Sequence, residues 1–134
     1  MPLFVSHTTV NARDAYALSV FWAQLLGYAD DPDDPNEPGH EECTISSSDR
    51  RHRILFIEAE RRQEAGRMHF DLRPDGAATR DEEVARAVAL GARQTHDRRT
   101  PDGRGWVVLE DPEGNPFCIL RSNAERVAAG DPAV

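Results

Sequence analysis

The chain carries one pattern twice, and a duplicated supersecondary unit limits the possible folds more than any other feature it has. From Ser6 to Gly27, His7 opens a strand-like segment, Asp14 ends it, a helical pattern follows, and Leu26-Gly27 stops the helix. From Arg67 to Gly91, His69 opens a second strand-like segment, an acidic turn follows at Asp75, and another helical pattern runs to Leu90-Gly91. The separation from histidine to glycine is 20 residues in the first copy and 22 in the second. One such unit rarely buries its own apolar face, so the two copies are expected to pack as related halves, each led by a histidine.

At 134 residues the chain has the size of one domain and is long enough to fold without metal or disulfide staples. Its 24 acidic side chains outnumber 16 basic ones, all arginine, and the net charge of −8 weighs against a nucleic-acid partner, whose phosphates demand a basic surface. Cys43 and Cys118 lack metal-finger spacing and form no disulfide framework, which suits a reducing compartment. No apolar run reaches membrane-spanning length, and MPLFVSHTT lacks the order of a signal peptide. A cytoplasmic protein without a membrane partner is expected.

Leu3 to Asn11 reads as a strand, with Val5, His7 and Thr9 on one face. Asp14 is the expected N-cap of a helix in which Leu18, Phe21, Trp22, Leu25 and Leu26 recur at helical spacing before Gly27. The run DDPDDPNEPG, residues 30 to 39, is expected to be a loop because prolines lack the N–H that regular structure needs. Glu42 to Ser48 and Arg53 to Glu58 read as a hairpin, with Ile54, Phe56 and Glu58 on one face and Leu55, Ile57 and Ala59 on the other. Residues 60 to 66 read as a linker inside one domain.

In the second half Met68 to Arg73 repeats the strand, and Thr79 with Glu82 has the spacing of a capping box. A loop containing Pro101, Gly103 and Gly105 leads to a hairpin of Trp106 to Glu110 and Phe117 to Leu120 around Asp111-Pro112-Glu113-Gly114. The polar tail from Ser122 either frays or forms a short helix.

FWAQLLGY after the first histidine strand, RMHFDL in mid-chain and WVVLEDPEGNPFCIL near the end resemble the glyoxalase-like branch of the vicinal oxygen chelate superfamily, over roughly residues 3 to 121. The resemblance implies an α+β fold in which two βαβββ modules pair into a cupped mixed sheet. It implies one glyoxalase-like domain over 1–134, with module one at about 3–60, module two at about 67–121, and the polar tail 122–134. Superfamily members include glyoxalase I, extradiol dioxygenases, epimerases, fosfomycin-resistance enzymes and metal-free bleomycin-binding proteins, so fold alone leaves the activity open. A homodimer is a further implication.

The superfamily's enzymes take metal ligands from the first and last strand of each module. His7 and His69 match the two opening positions, Ile57 stands where the first module's last strand would carry a donor, and Cys118 stands where the second would carry a glutamate. Glu58 replaces Ile57 only if the strand register slips by one residue, which would turn every side chain to the opposite face. A divalent metal there would be zinc, or iron, manganese or nickel, and a set that includes Cys118 favours zinc over the magnesium, manganese or iron that oxygen-rich sites take. Each residue also has a plainer reading. His7 and His69 would be hydrogen-bonded histidines inside the fold, and Cys118, between Phe117 and Ile119, would be a small buried hydrophobe. Asp71 would orient the His69 imidazole or point to solvent.

Trp106 is expected to line a ligand cavity by stacking, while Phe21 and Trp22 belong to the core. His40, His52 and His96 are read as surface residues, and the arginines at 50, 51, 53, 61 and 62 as a solvated face. The leading expectation is a small-molecule-binding protein of the glyoxalase/bleomycin-resistance type, with His7, His69, Trp106 and Cys118 facing the ligand and no firmly held cofactor. The alternative is a metal-dependent lyase, isomerase or dioxygenase, with a divalent ion on His7 and His69 completed by Glu58 or Cys118.

Overall fold

Short polar residues at chain turning points organise both halves. The structure, a computed structural model, describes residues 5–59 and 68–134. The chain divides into two compact units, Met1–Glu64 and Ala65–Val134, here called modules one and two. The expected strand start at Leu3 and Phe4 and the linker at 60–66 lie outside the described residues.

Module one contains β1 (Thr8–Ala12), α1 (Ala15–Leu26), β2 (Glu42–Ser46) and β3 (Arg53–Glu58). Asp14 caps α1 by accepting the Ala17 N–H at 3.0 Å, satisfying one of the helix's orphan donors. Gly27, at φ 69°, ends the helix in the left-handed region and donates its N–H to the Ala23 carbonyl. The sheet order is β1-β3-β2, with β1 parallel and β2 antiparallel to β3. Leu18, Phe21, Trp22 and Leu25 of α1 are buried, as are Cys43, Ile45, Ile54 and Phe56 of the sheet. That is the alternation expected of a sheet with a helix on one face.

Two features of module one differ from the expected βαβββ order. Among the described residues the strand begins at Thr8, so Val5 to His7 precede it. The strand that should follow α1 is reduced to a single bridge, in which Ala29 exchanges backbone hydrogen bonds with Ser46 at 3.1 and 2.8 Å. Pro32, Pro35 and Pro38 prevent extension beyond it. The Asn36 side-chain amide takes over further along the edge of β2, donating to the Thr44 carbonyl at 2.9 Å and accepting its N–H at 3.3 Å. His52, expected at the surface, is half-buried, and its Nδ1 lies 2.7 Å from the Tyr28 hydroxyl.

Module two contains β4 (Phe70–Leu72), α2 (Arg80–Leu90), β5 (Arg93–Asp97), β6 (Val107–Glu110), β7 (Pro116–Ile119) and α3 (Asn123–Ala128). The Thr79/Glu82 capping box is formed at the start of α2. The sheet order is β4-β7-β6-β5, with β4 parallel to β7 and the remaining neighbours antiparallel. Phe117, Ile119, Val107 and Leu109 are buried on the helix side, with Val84 and Ala87 of α2. The Asp111–Gly114 turn is organised by the buried Asp111 carboxylate, which accepts the backbone N–H groups of Glu113 and Asn115 at 2.9 Å each.

β5 is the strand that a βαβββ module implies after its helix, although no residue pattern marks it. Its sequence RQTHD has no apolar alternation, and only its pairing with β6, interrupted by an irregularity between Gln94 and His96, holds it extended. The tail resolves in favour of a helix: Ser122 and Glu125 form a second capping box, and Glu125 also accepts the Arg80 N–H at 2.8 Å. Among the described residues, no helix is long and apolar enough to cross a membrane.

Candidate functional site

Strand register in module two decides which side chains share the face away from α2. Asp71 of β4 stands beside Cys118 of β7, which stands beside Val108 of β6. Paired residues in neighbouring strands point to the same side, so these three form a row. His69 and Trp106 each precede a strand by one residue, Pro116 opens β7, and Leu120 follows it, its N–H donating to the Leu72 carbonyl at 2.8 Å. Together these seven residues line a cavity of about 490 Å³. That is within the usual size range of small-molecule sites.

The approach to Trp106 is fixed by a closed loop. The Arg98 N–H donates to the Trp106 carbonyl at 2.9 Å, and the Thr100 N–H donates to the Arg104 carbonyl at 2.9 Å. Beneath them the buried Arg80 guanidinium donates from one nitrogen to the carbonyls of Gly103, Arg104 and Gly105 at 3.2, 3.1 and 3.1 Å. Trp106 nevertheless keeps 44% of its surface exposed, which leaves its indole accessible as a wall of the cavity.

The polar groups of the cavity form one cluster. His69 Nε2 lies 3.2 Å from Asp71 Oδ1, and donor atoms of His69, Asp71 and Cys118 all lie within 4.8 Å of one another. Cys118 is only 7% exposed. Burial pushes its thiol up to about 11, and the Asp71 carboxylate, both by its charge and by its hydrogen bond to the thiol, acts in the same direction. At neutral pH the sulfur therefore holds its proton. One nitrogen, one oxygen and one sulfur donor suit a tetrahedral, borderline-soft ion such as zinc with one open position, provided the ion displaces the thiol proton. They do not suit an ion that demands an oxygen-rich shell.

Of the residues singled out from the sequence, His69, Trp106 and Cys118 line this cavity, whereas His7 and Glu58 belong to module one. His7 is exposed immediately before β1, its Nδ1 3.1 Å from the Ser6 hydroxyl. In β3, Ile57 pairs with Asn11 and Leu55 with Thr9, so both aliphatic residues share the face on which alternation from His7 continues. Glu58 falls on the other face, with Phe56 and Ile54, and is exposed at the strand end. In module two the residue two beyond the histidine pairs with Cys118; in module one the residue two beyond pairs with Leu55. Whether Leu55 or Ile57 is taken as the counterpart, its side chain has no donor atom. Val108, Pro116 and Leu120 were missed as lining residues. The signal was present in their parity with Cys118, but parity is readable only once the pairing is known.

The profile of a family described as glyoxalase-like domain matches residues 7–120. No curated protein sequence matches significantly. Among solved structures, a glyoxalase/bleomycin resistance protein/dioxygenase family enzyme from Burkholderia phytofirmans is 22% identical with a TM-score of 0.66, covering 85% of this chain and 94% of its own. Lactoylglutathione lyase from Agrobacterium tumefaciens is 22% identical with a TM-score of 0.59, covering 89% and 93%. A mutant of the fosfomycin resistance protein FosX from Listeria monocytogenes, complexed with Mn(II) and 1S,2S-dihydroxypropylphosphonic acid, is 19% identical with a TM-score of 0.65, covering 93% and 94%. At these identities the likeness establishes the fold.

Proposed function

Because the chain belongs to the glyoxalase-like domain family, within the vicinal oxygen chelate superfamily, we propose that it is a small-molecule-binding protein of the glyoxalase/bleomycin-resistance type with a degenerate metal site. The observation that carries the reading is the module-two cavity. Apolar Trp106, Val108, Pro116 and Leu120 line it together with a few polar groups, His69, Asp71 and Cys118. Apolar lining supplies affinity and a few converging polar groups supply orientation. The aliphatic Leu55 and Ile57 support the degenerate metal site, since neither can serve as a donor on the last strand of module one. None of the described lining residues is an arginine.

The test is metal analysis after purification under mild conditions, followed by chelation. Substoichiometric metal and ligand binding unchanged by chelation are expected. Stoichiometric metal, with turnover abolished by chelation and restored by one ion, would overturn the reading.

One observation favours a second reading, a metal-dependent lyase, isomerase or dioxygenase: the three donor atoms already gathered within 4.8 Å. Here His69, Cys118 and Asp71 would hold a divalent ion. The ion would supply Lewis acidity toward substrate oxygens. If His7→Ala leaves metal content and ligand affinity unchanged, His7 has no part in either version. The proposal further takes the two modules as one domain and the protein as a cytoplasmic homodimer, and light scattering in solution tests the dimer.

A further inference from the structure

The lining of the module-two cavity is chemically one-sided. Among the described residues its one acidic side chain is Asp71, no arginine lines it, and the rest of its polar chemistry is the His69 imidazole and the protonated Cys118 thiol, both already turned toward the Asp71 carboxylate. The same lining includes the Trp106 indole, with 44% of its surface open. Tryptophan is the best of the aromatic side chains at attracting a cation through its π face, and a carboxylate beside an apolar wall attracts the same charge. An anion entering here would meet a carboxylate that, among the described lining residues, no guanidinium offsets, in a chain whose net charge is −8.

We infer that this cavity selects organic cations that carry a flat apolar ring, the charged nitrogen lying by Asp71 and the ring against Trp106. The inference rests on the proposed reading of the cavity as a ligand site and adds the charge and shape of what enters it. Asp71 sets the preference for positive charge. Val108, Pro116 and Leu120 complete an apolar surface that rewards a planar ring over a small hydrophilic amine such as ammonium, because only the ring removes that surface from water.

The experiment compares three probes that share one ring and differ in the head group: tryptamine, which is cationic, 2-(indol-3-yl)ethanol, which is neutral, and indole-3-propionate, which is anionic. Each is titrated calorimetrically into the chain in the presence of EDTA, so that a bound metal ion plays no part. A partly exposed charge pair together with a cation–π contact predicts that tryptamine binds roughly tenfold more tightly than the alcohol, with the propionate weakest. Added salt should narrow that gap. In Asp71→Asn, which keeps a hydrogen-bonding side chain of the same size, the gap should close, and in Trp106→Ala all three affinities should fall. If the alcohol or the propionate binds as tightly as tryptamine, and Trp106→Ala weakens that binding, the charge selection is wrong while the ligand-site reading stands. A tryptamine preference that survives Asp71→Asn also overturns the inference. If none of the three probes binds, the inference and the ligand-site reading fall together.

Discussion

Replacing Arg80 by methionine should loosen the loop that presents Trp106, and the size of the effect follows from the geometry. The guanidinium is buried, at 4% exposure, and its Nη1 fans out to the carbonyls of Gly103, Arg104 and Gly105 while Nε donates to Asp81 at 2.9 Å. Methionine keeps the length of the stem and a similar helix propensity but removes every donor. One guanidinium nitrogen carries two hydrogens, so three carbonyls share at most two full bonds. A hydrogen bond to a charged donor is worth about 1.5–3 kcal/mol. Gly103 is exposed, so water recovers part of the loss there. The net cost should be that of roughly one charged hydrogen bond, about 1.5–3 kcal/mol. For a chain of this length that corresponds to a drop in Tm of roughly 5–15 °C. Urea denaturation at constant m, with Trp106 emission followed in parallel, reads both the stability and the loop. Arg80→Lys should recover less than half, because its Nζ lies one bond nearer the backbone than Nη1 and the Nε bond to Asp81 is lost. A change within about 0.5 kcal/mol for Arg80→Met would refute the reasoning, since that is the range of an ordinary surface substitution.

Gly105→Ala should be costly for a different reason: at φ +90° a Cβ would meet the Arg98 carbonyl oxygen at 2.0 Å, so the loop must move. A loss above about 2 kcal/mol is expected from urea midpoints, and a neutral outcome would mean that the loop is not packed in this way. Asp97 is held down to about 2, first by the Arg99 side chain and then by the Arg99 N–H. Its folded-state value lies below the unfolded one, so its stabilisation is complete above about pH 4 and is lost as the pH falls through about 2. The stability difference between the parent chain and Asp97→Asn should therefore shrink across that window, and a difference independent of pH counts against it. Cys118, pushed up to about 11 by burial and by Asp71, should resist alkylation at neutral pH, and Asp71→Asn should shift the onset of reaction downward. Peptide mapping after iodoacetamide treatment checks this, and rapid labelling of Cys118 at neutral pH would contradict it.

Local chemistry was readable in advance. Asp14 and Gly27 around α1, Thr79 with Glu82 at α2, and the Asp111–Gly114 turn each bond to backbone groups a few residues away, so their signatures lie within short windows of sequence. The histidine repeat likewise pointed to two modules with the same element order. What reading residue by residue missed is what depends on a distant partner. RQTHD becomes β5 because β6 offers an edge, not because its own residues demand a strand, while in module one three prolines reduce the corresponding strand to the Ala29 bridge.

The amino-acid sequence by itself determined where the helices begin and end, which strand faces are apolar, and that a histidine leads each half, because all of these depend on bonds and spacings within one segment. Only the tertiary structure decided that Cys118 stands beside Asp71 and Val108, that Leu55 pairs with Thr9 and Ile57 with Asn11, and that Arg80 reaches under the loop of Trp106. Those facts follow from strand register and from contacts between residues far apart in the chain. Such contacts form only when the elements pack, which is why a cavity can be built from residues whose individual patterns say nothing of it.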